Sequence, residues 1–410
     1  MASAPDFSAT HALLQQWVSE QHLAGVSAAV QYDGELIDEC CFGQARLALA
    51  DSPGQALRSS HIHRAFSNTK LVTAVLTLML VDDGQLALDA PVAEWLPSWA
   101  KLRVLRAGAS RLDDTEALAT PITLRHLLSH QAGLSHGVFD PGTLLYEAYH
   151  ARGVRRPDTT LAQLMDTLAG LPLNFQPGQA WEYSLAPDVL ARVIEVATGQ
   201  RFSRVLQARL LEPLGMVDTG YVLSEAQRPR LADLYVGDLA DPWRPGLAPL
   251  HDKPWRDAFL KPVPRESGAG GLFTTQTDML GLLTQLQPGQ RGLLQQATLG
   301  ELLRDQLPPE LCVNFPHTGA LPDLGFSLGG AVTRCASERS PAAAVGEMQW
   351  GGLAGTHWWL HPATGVSGVL MTQRFMGFWH PFWFAYRRAV YQALDAGGTA
   401  PGSVKGRQPN

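Results

Sequence analysis

Apolar positions recur at helical spacing over residues 12–22, and the period then changes. Residues 25–32 and 35–42 are β-rich runs joined by Asp33-Gly34, which reads as strand, tight turn, strand. Clear strand patterning returns only near the far end, in short runs at 325–332, 347–351, 356–361 and 366–373 separated by turn residues. Helical spacing dominates between them, at 71–82, 123–129, 160–169, 186–198 and 202–214, broken by proline and glycine clusters. A last helix at 381–394 is placed to cover a sheet, and the Gly-, Pro- and polar-rich tail from 397 to 410 is expected to be disordered. Strands at both ends with helices between them predict an α+β fold, an antiparallel sheet flanked by helices with a mainly helical region inserted. The expected division is 1–65 with 265–396 for the sheet part, 66–264 for the helical part and 397–410 for the tail.

At 410 residues and 45% hydrophobic content, the chain can bury a large core without disulfides or metal. The net charge of -6 is mild, and the lysines (Lys70, Lys101, Lys253, Lys261, Lys405) are scattered, so no basic stripe marks a nucleic-acid partner. The longest apolar stretch, Leu71–Val81, is short and interrupted by Thr73 and Thr77, so no membrane span is predicted. The first ten residues lack the basic flank and apolar core of a secretion signal, which makes the cytoplasm the expected address. Cys40 and Cys41 are adjacent and point to opposite faces of a strand, while Cys312 and Cys335 lack metal-type spacing. Buried free thiols are expected, with a Cys312–Cys335 pair as the alternative. His61, His63, His130 and His136 have no acidic or cysteine partner at ligand spacing, so neither a metal nor another cofactor is expected. Nothing in the sequence speaks to oligomeric state.

The chemistry begins at Ser67-Asn68-Thr69-Lys70, directly before the apolar helix. A helix N-terminus offers unpaired N–H groups and a positive dipole end, which stabilise an alkoxide and the oxyanion formed on attack. The spacing of three puts Lys70 on the same helical face as Ser67, and a desolvated lysine there can share the proton transfer. The motif alone is weakly specific. A second match, Ser98-Trp99-Ala100-Lys101, follows Pro97, opens no apolar helix and reads as a loop coincidence.

Tyr183, in Trp181-Glu182-Tyr183-Ser184-Leu185, falls between a Pro177-Gly178 turn and the next helix. A tyrosine beside a lysine is expected to ionise below its usual range and to move the Ser67 proton; the alternative is a core tyrosine capping that helix. The third element is the glycine-rich stretch Gln349–Thr356, where a backbone N–H can complete an oxyanion hole if that edge faces Ser67. Otherwise it is a hairpin turn.

These three motifs, in this order, resemble the β-lactamase-like serine hydrolases, especially the esterases related to class C β-lactamases (family VIII carboxylesterases). Further matching segments are Asp83–Val92, His126–Leu134, Glu212–Met216 and Gly270–Thr275, and the resemblance spans 25–373. It implies a β-lactamase/penicillin-binding-protein-like fold, Ser67 as nucleophile, Lys70 and Tyr183 as the proton-handling pair, the N–H groups of Ser67 and Leu353 as oxyanion hole, and Trp350, Gly351 and Gly352 as substrate-binding strand. Where lactamases and peptidases carry Asn two residues after the tyrosine, this chain has Leu185; where they carry Lys-Thr-Gly, it has Trp350-Gly351-Gly352. Both departures remove polar anchors for a charged amide substrate and favour hydrolysis of short- to medium-chain carboxylic esters, small molecules, through an acyl-Ser67 intermediate. Transfer of the same acyl group to a hydroxyl acceptor, weak β-lactamase or D-amino-acid peptidase activity, and a catalytically silent binding module are the rival readings.

Two further motifs compete. Gly133-Leu134-Ser135-His136-Gly137 matches the nucleophile elbow but lacks a strand before it and a helix after it. His317-Thr318-Gly319 resembles a variant of the strand motif but precedes the strand that should come first. The segment 236–264 reads either as a lid or as a surface excursion, and the aromatic residues at 358–359 and 374–384 as acyl-site lining or as the seat of the last helix.

Overall fold

The computed structural model describes residues 4–48, 53–255, 257–289 and 292–397; of the tail expected to be disordered over 397–410, Gly397 is described as the buried cap of the last helix and the rest lies outside the described residues. Its centre is an eight-stranded sheet. Three strands come from the N-terminal part, β1 (Gly25–Tyr32), β2 (Glu35–Arg46) and β3 (Gln55–Ala56); five come from the C-terminal part, β4 (Leu324–Phe326), β5 (Ala331–Thr333), β6 (Met348–Gly352), β7 (Thr356–His361) and β8 (Val366–Thr372). The order is β4-β5-β6-β7-β8-β1-β2-β3. The two parts join where β1 runs antiparallel to β8, with Val26 opposite Thr372 and Tyr32 opposite Val366.

Strand alternation divides the apolar residues between two layers. Val26, Ala28, Val30, Trp359 and Leu370 face a cluster with α1 (Ser8–Ser19) and the last helix, Pro381–Ala396. Ala29, Trp358, Leu360, Val369 and Met371 face the opposite cluster, which continues into the helical region. At its heart is α2 (Thr69–Asp82), buried at every position from Thr69 to Leu80. A helix apolar on all sides must be enclosed, and Thr73 and Thr77 are accommodated by donating to the carbonyls of Gly268 and Thr73, both at 2.8 Å. The next helix toward the site, α3 (Ala186–Thr198), starts with Pro187 in its first turn and stops at Gly199, whose φ of 68° is the left-handed cap that glycine tolerates.

Several boundaries differ from the sequence expectation. The run 325–332 is two strands, because Ser327 Oγ accepts from the N–H groups of Gly329 and Gly330, both at 3.1 Å, and turns the chain. The helix expected over 202–214 is regular only for Phe202–Leu206 and widens to a π-turn at Gln207–Leu211, where Pro213 cannot donate to the ladder. Helices at Leu144–Ala151, Gln276–Gln285 and Gln296–Leu303 were not anticipated; the second packs on β8 and β1. All four cysteines are free, so Cys312 and Cys335 are unpaired; only Cys40 is buried, and Cys335 is exposed, contrary to the expectation of buried thiols. No helix among the described residues is long and apolar enough to cross a membrane.

Candidate active site

The segment leading into α2 is a short 3₁₀ turn, Phe66–Asn68, so Ser67 stands just ahead of the helix N-terminus. Phe66 has a φ of 44°, a left-handed conformation that costs a non-glycine residue about 1–3 kcal/mol and aims the following serine. Lys70, one turn on, donates from Nζ to Ser67 Oγ at 3.2 Å and to the Ala269 carbonyl at 2.6 Å. Tyr183 donates its hydroxyl to the same Oγ at 2.7 Å. The Lys70 ammonium position lies 4.6 Å from the Tyr183 ring centroid. Ser67, Lys70 and Tyr183 therefore converge on one oxygen.

Their environment separates their proton affinities. Burial of Lys70 lowers its amine from 10.5 to about 7, so near neutral pH a substantial share is the free base. Burial moves Tyr183 the other way, up to about 12, against its hydrogen bonds with Ser67 and Trp350, which pull it down. This corrects the expected Tyr183 ionisation below its usual range: desolvation exceeds the help of neighbouring donors. The amine is thus the more readily deprotonated of the pair, and the phenol keeps its proton. The alternative of a helix-capping core tyrosine also falls, since the Tyr183 hydroxyl points to Ser67.

Trp350 on β6 is buried, and its ring nitrogen donates to the Tyr183 hydroxyl at 3.3 Å. The expected apolar wall is thus also a hydrogen-bond donor. Leu353, just beyond β6, lines the same hollows as Ser67, placing the two expected oxyanion-hole residues together. Gly351 lines the smaller hollow, but Gly352 lines neither: a Cβ on it would sit 2.4 Å from the Ala65 carbonyl and 2.3 Å from Thr356 Oγ1. The bare backbone at Gly352 lets β6 lie against the segment that carries Ser67.

Two hollows meet at Ser67. One, of about 20 Å³, is aromatic, lined by Phe139, Tyr183, Phe315, Trp350, Phe378 and Trp379. The other, of about 370 Å³, is lined among others by His136, Arg155, Leu185, Lys253, Trp255 and Arg265. The segment 236–264 thus divides: Lys253, Pro254 and Trp255 border the cavity, while Trp243 packs on His22 and His380. The aromatic tract divides too. Trp359 seats the last helix against Trp383 and Tyr386, whereas Phe378 and Trp379 face the hollow.

Several contributors lay beyond sequence reasoning. Asp188, in the first turn of α3, accepts from Ser267 Oγ at 2.7 Å and from the Ala269 N–H at 2.9 Å, fixing the carbonyl that holds Lys70. His136 stacks on Tyr183 at 5.1 Å, and His130 lies 5.0 Å from it, bonded to Ser184 Oγ at 2.9 Å. Burial holds both imidazoles well below their usual range. The remaining candidates fall away. Ser135 is fully buried, donates to Asp140 at 2.6 Å and serves its own turn. Lys101 is exposed on a 3₁₀ turn, and His317 sits at a hairpin turn beyond Phe315. Among the described residues the one trio of metal-ligand types within reach of one another, His11, Asp38 and Cys40, lies on the α1 side of the sheet, where His11 hydrogen-bonds Asp38 at 2.8 Å.

Against known proteins, esterase EstB of Burkholderia gladioli is 32% identical over 392 residues, 93% of this chain and 94% of EstB. Among solved structures, EstCE1, described as a hydrolase with promiscuous acyltransferase activity, superposes with a TM-score of 0.75 at 26% identity, covering 93% of this chain and 97% of its own. Unliganded simvastatin synthase (LovD, selenomethionyl derivative) of Aspergillus terreus shares the fold, with a TM-score of 0.78 at 24% identity over 95% of this chain and 97% of its own. The beta-lactamase family model matches residues 10–389, and the chain belongs to that family.

Proposed function

We propose that the protein is a serine carboxylesterase that cleaves short- to medium-chain esters of small molecules through an acyl-Ser67 intermediate. The observation that carries this reading is the convergence on Ser67 Oγ of Lys70 Nζ at 3.2 Å and the Tyr183 hydroxyl at 2.7 Å, with the two groups shifted in opposite directions. Kinship with an esterase over nearly the whole chain supports it.

In this mechanism Ser67 Oγ attacks the ester carbonyl as its proton passes to the Lys70 amine. The N–H groups of Ser67 and Leu353, with the N-terminal end of α2, hold the oxyanion. The C–O bond then breaks, the departing alcohol takes the Tyr183 proton, and the Lys70 ammonium beside the ring stabilises the phenolate. Water attacks the acyl-enzyme while giving a proton to Tyr183, and Ser67 recovers its own from Lys70, which closes the balance.

Turnover of a p-nitrophenyl ester series by wild type and Ser67→Ala, with mass spectrometry of the Ser67 peptide, tests the proposal. Acylation and turnover that both vanish in the variant support it; full activity in the variant overturns it. Acyl transfer is the second reading, favoured by the EstCE1 description. New ester formed in preference to free acid with an added alcohol would establish it. Leu185 in place of a polar anchor, and Trp350-Gly351-Gly352 on the strand, disfavour β-lactam or peptide cleavage, so a chromogenic cephalosporin should turn over far more slowly than esters. Four unpaired thiols suit a cytoplasmic address.

A further inference from the structure

The two hollows at Ser67 differ in charge as well as size. Tyr183, which protonates the departing alcohol in the mechanism above, lines the aromatic hollow and not the larger cavity. The alcohol therefore leaves on the aromatic side, and the acyl group occupies the cavity of about 370 Å³. Three cations, Arg155, Lys253 and Arg265, stand on that cavity's wall against a single carboxylate, Asp188. Asp188 is already engaged by Ser267 and Ala269.

The cations are not equivalent. Arg265 is buried and braces the 154–159 loop, donating to the Val154 carbonyl at 2.6 Å and to Thr159 Oγ1. Arg155, carried on that braced loop, is exposed, and its side chain makes one hydrogen bond, a long 3.4 Å contact to the His136 carbonyl. No described carboxylate forms an ion pair with it or with Lys253, although the charge of Asp188 on the same wall is felt at Arg155. The positive charge of Arg155 is felt at Lys70 and Tyr183, behind the larger effect of burial, so the guanidinium belongs to the electrostatic field of the reacting centre. A guanidinium on a cavity wall with no ion pair and one long hydrogen bond still offers a planar pair of donors that matches a carboxylate.

We propose that the preferred acyl group carries a terminal carboxylate that pairs with Arg155, with Lys253 adding to the field, so that the favoured substrates are mono-esters of dicarboxylic acids. The inference rests on the esterase reading and narrows it. Arg155 is then a specificity-determining residue, and its effect is on the choice between acyl groups.

Competition in one vessel tests this. Monoethyl esters of glutaric, adipic and pimelic acid are each mixed with the ethyl ester of a monocarboxylic acid of matching length, and the kcat/KM ratio is read from acids released. The wild type should favour the anionic ester by about tenfold or more at one chain length at least. Arg155→Gln should erase most of that ratio, Arg155→Lys should restore part of it, and added salt should lower it in the wild type. The ratio cancels any effect of Arg155 on Lys70, because both esters share the same acylation step. A wild-type ratio near one at every length, or a ratio unchanged in Arg155→Gln, overturns the inference while neutral-ester turnover leaves the esterase reading standing. Absence of Ser67-dependent turnover of both ester classes removes both.

Discussion

Replacement of Lys70 by methionine should abolish turnover and at the same time stabilise the protein near neutral pH. The folded amine titrates at about 7 against 10.5 for an unperturbed lysine. At 1.36 kcal/mol per unit, keeping this group in the site costs ~5 kcal/mol at pH 7 relative to the solvated ammonium of the unfolded chain. Methionine fills a similar volume without that cost, but it leaves the buried Ala269 carbonyl without its 2.6 Å donor. The orphaned carbonyl takes back ~1–3 kcal/mol, so a net gain of ~2 kcal/mol is expected at pH 7. The sign with pH follows from proton counts. Between pH 7 and 10.5 the unfolded chain holds a proton on Lys70 that the folded protein lacks, so wild-type stability rises with pH while Lys70→Met has no such slope. The advantage of the variant should shrink by ~2–3 kcal/mol from pH 7 to pH 9. Urea unfolding at both pH values, followed by tryptophan fluorescence, measures it. A gap between variant and wild type that does not move with pH would mean that Lys70 keeps an ordinary affinity for its proton, and the proposed role of Lys70 as the base would fall with it.

The same depressed amine predicts that kcat/KM for a neutral ester climbs with pH and levels off above about 7, one proton being lost; a profile flat from pH 5.5 to 8.5 would contradict this. Trp350→Phe keeps the ring but deletes the 3.3 Å donor to Tyr183, so kcat should drop roughly tenfold with KM little changed, by the worth of one hydrogen bond. Gly352→Ala would push a methyl group into the Ala65 carbonyl at 2.4 Å, and both Tm and activity should drop, whereas a neutral outcome would show that this edge can yield. Ser135→Ala should retain ester turnover while losing ~1 kcal/mol of stability with its bond to Asp140; loss of all turnover in a folded variant would revive the rejected elbow.

The parts of this architecture legible in the sequence are those with local signals. β1 and β2 announce themselves through the Asp33-Gly34 turn, and α2 through its uninterrupted apolar run behind Ser67. Lys70 follows from helical spacing alone. The rest of the site is joined across long separations: 116 residues between Ser67 and Tyr183, 199 between Lys70 and Ala269, and 167 between Tyr183 and Trp350. No periodicity encodes such pairings; the order of family motifs did for Tyr183 and Trp350, and nothing did for Asp188 or Arg155. The proton affinity of Tyr183 departs from the sequence expectation for a related reason, because the direction of its shift depends on how completely His130, His136 and Trp350 exclude water from the ring. The 276–285 helix escaped notice because Gln276, Thr277 and Asp278 dilute its apolar stripe, while Thr275 caps it through a 3.2 Å bond that sequence shows only as a threonine.

The glycine at 352 has a consequence for how activity is acquired. Strand β6, late in the chain, presses bare backbone against Ala65 and Phe66, so the left-handed kink that aims Ser67 is clamped by a segment synthesised nearly three hundred residues later. A chain emerging from the ribosome can form α2 and still hold an idle serine. Activity is thereby tied to the docking of the C-terminal strands, which makes turnover a readout of the final closure of the sheet.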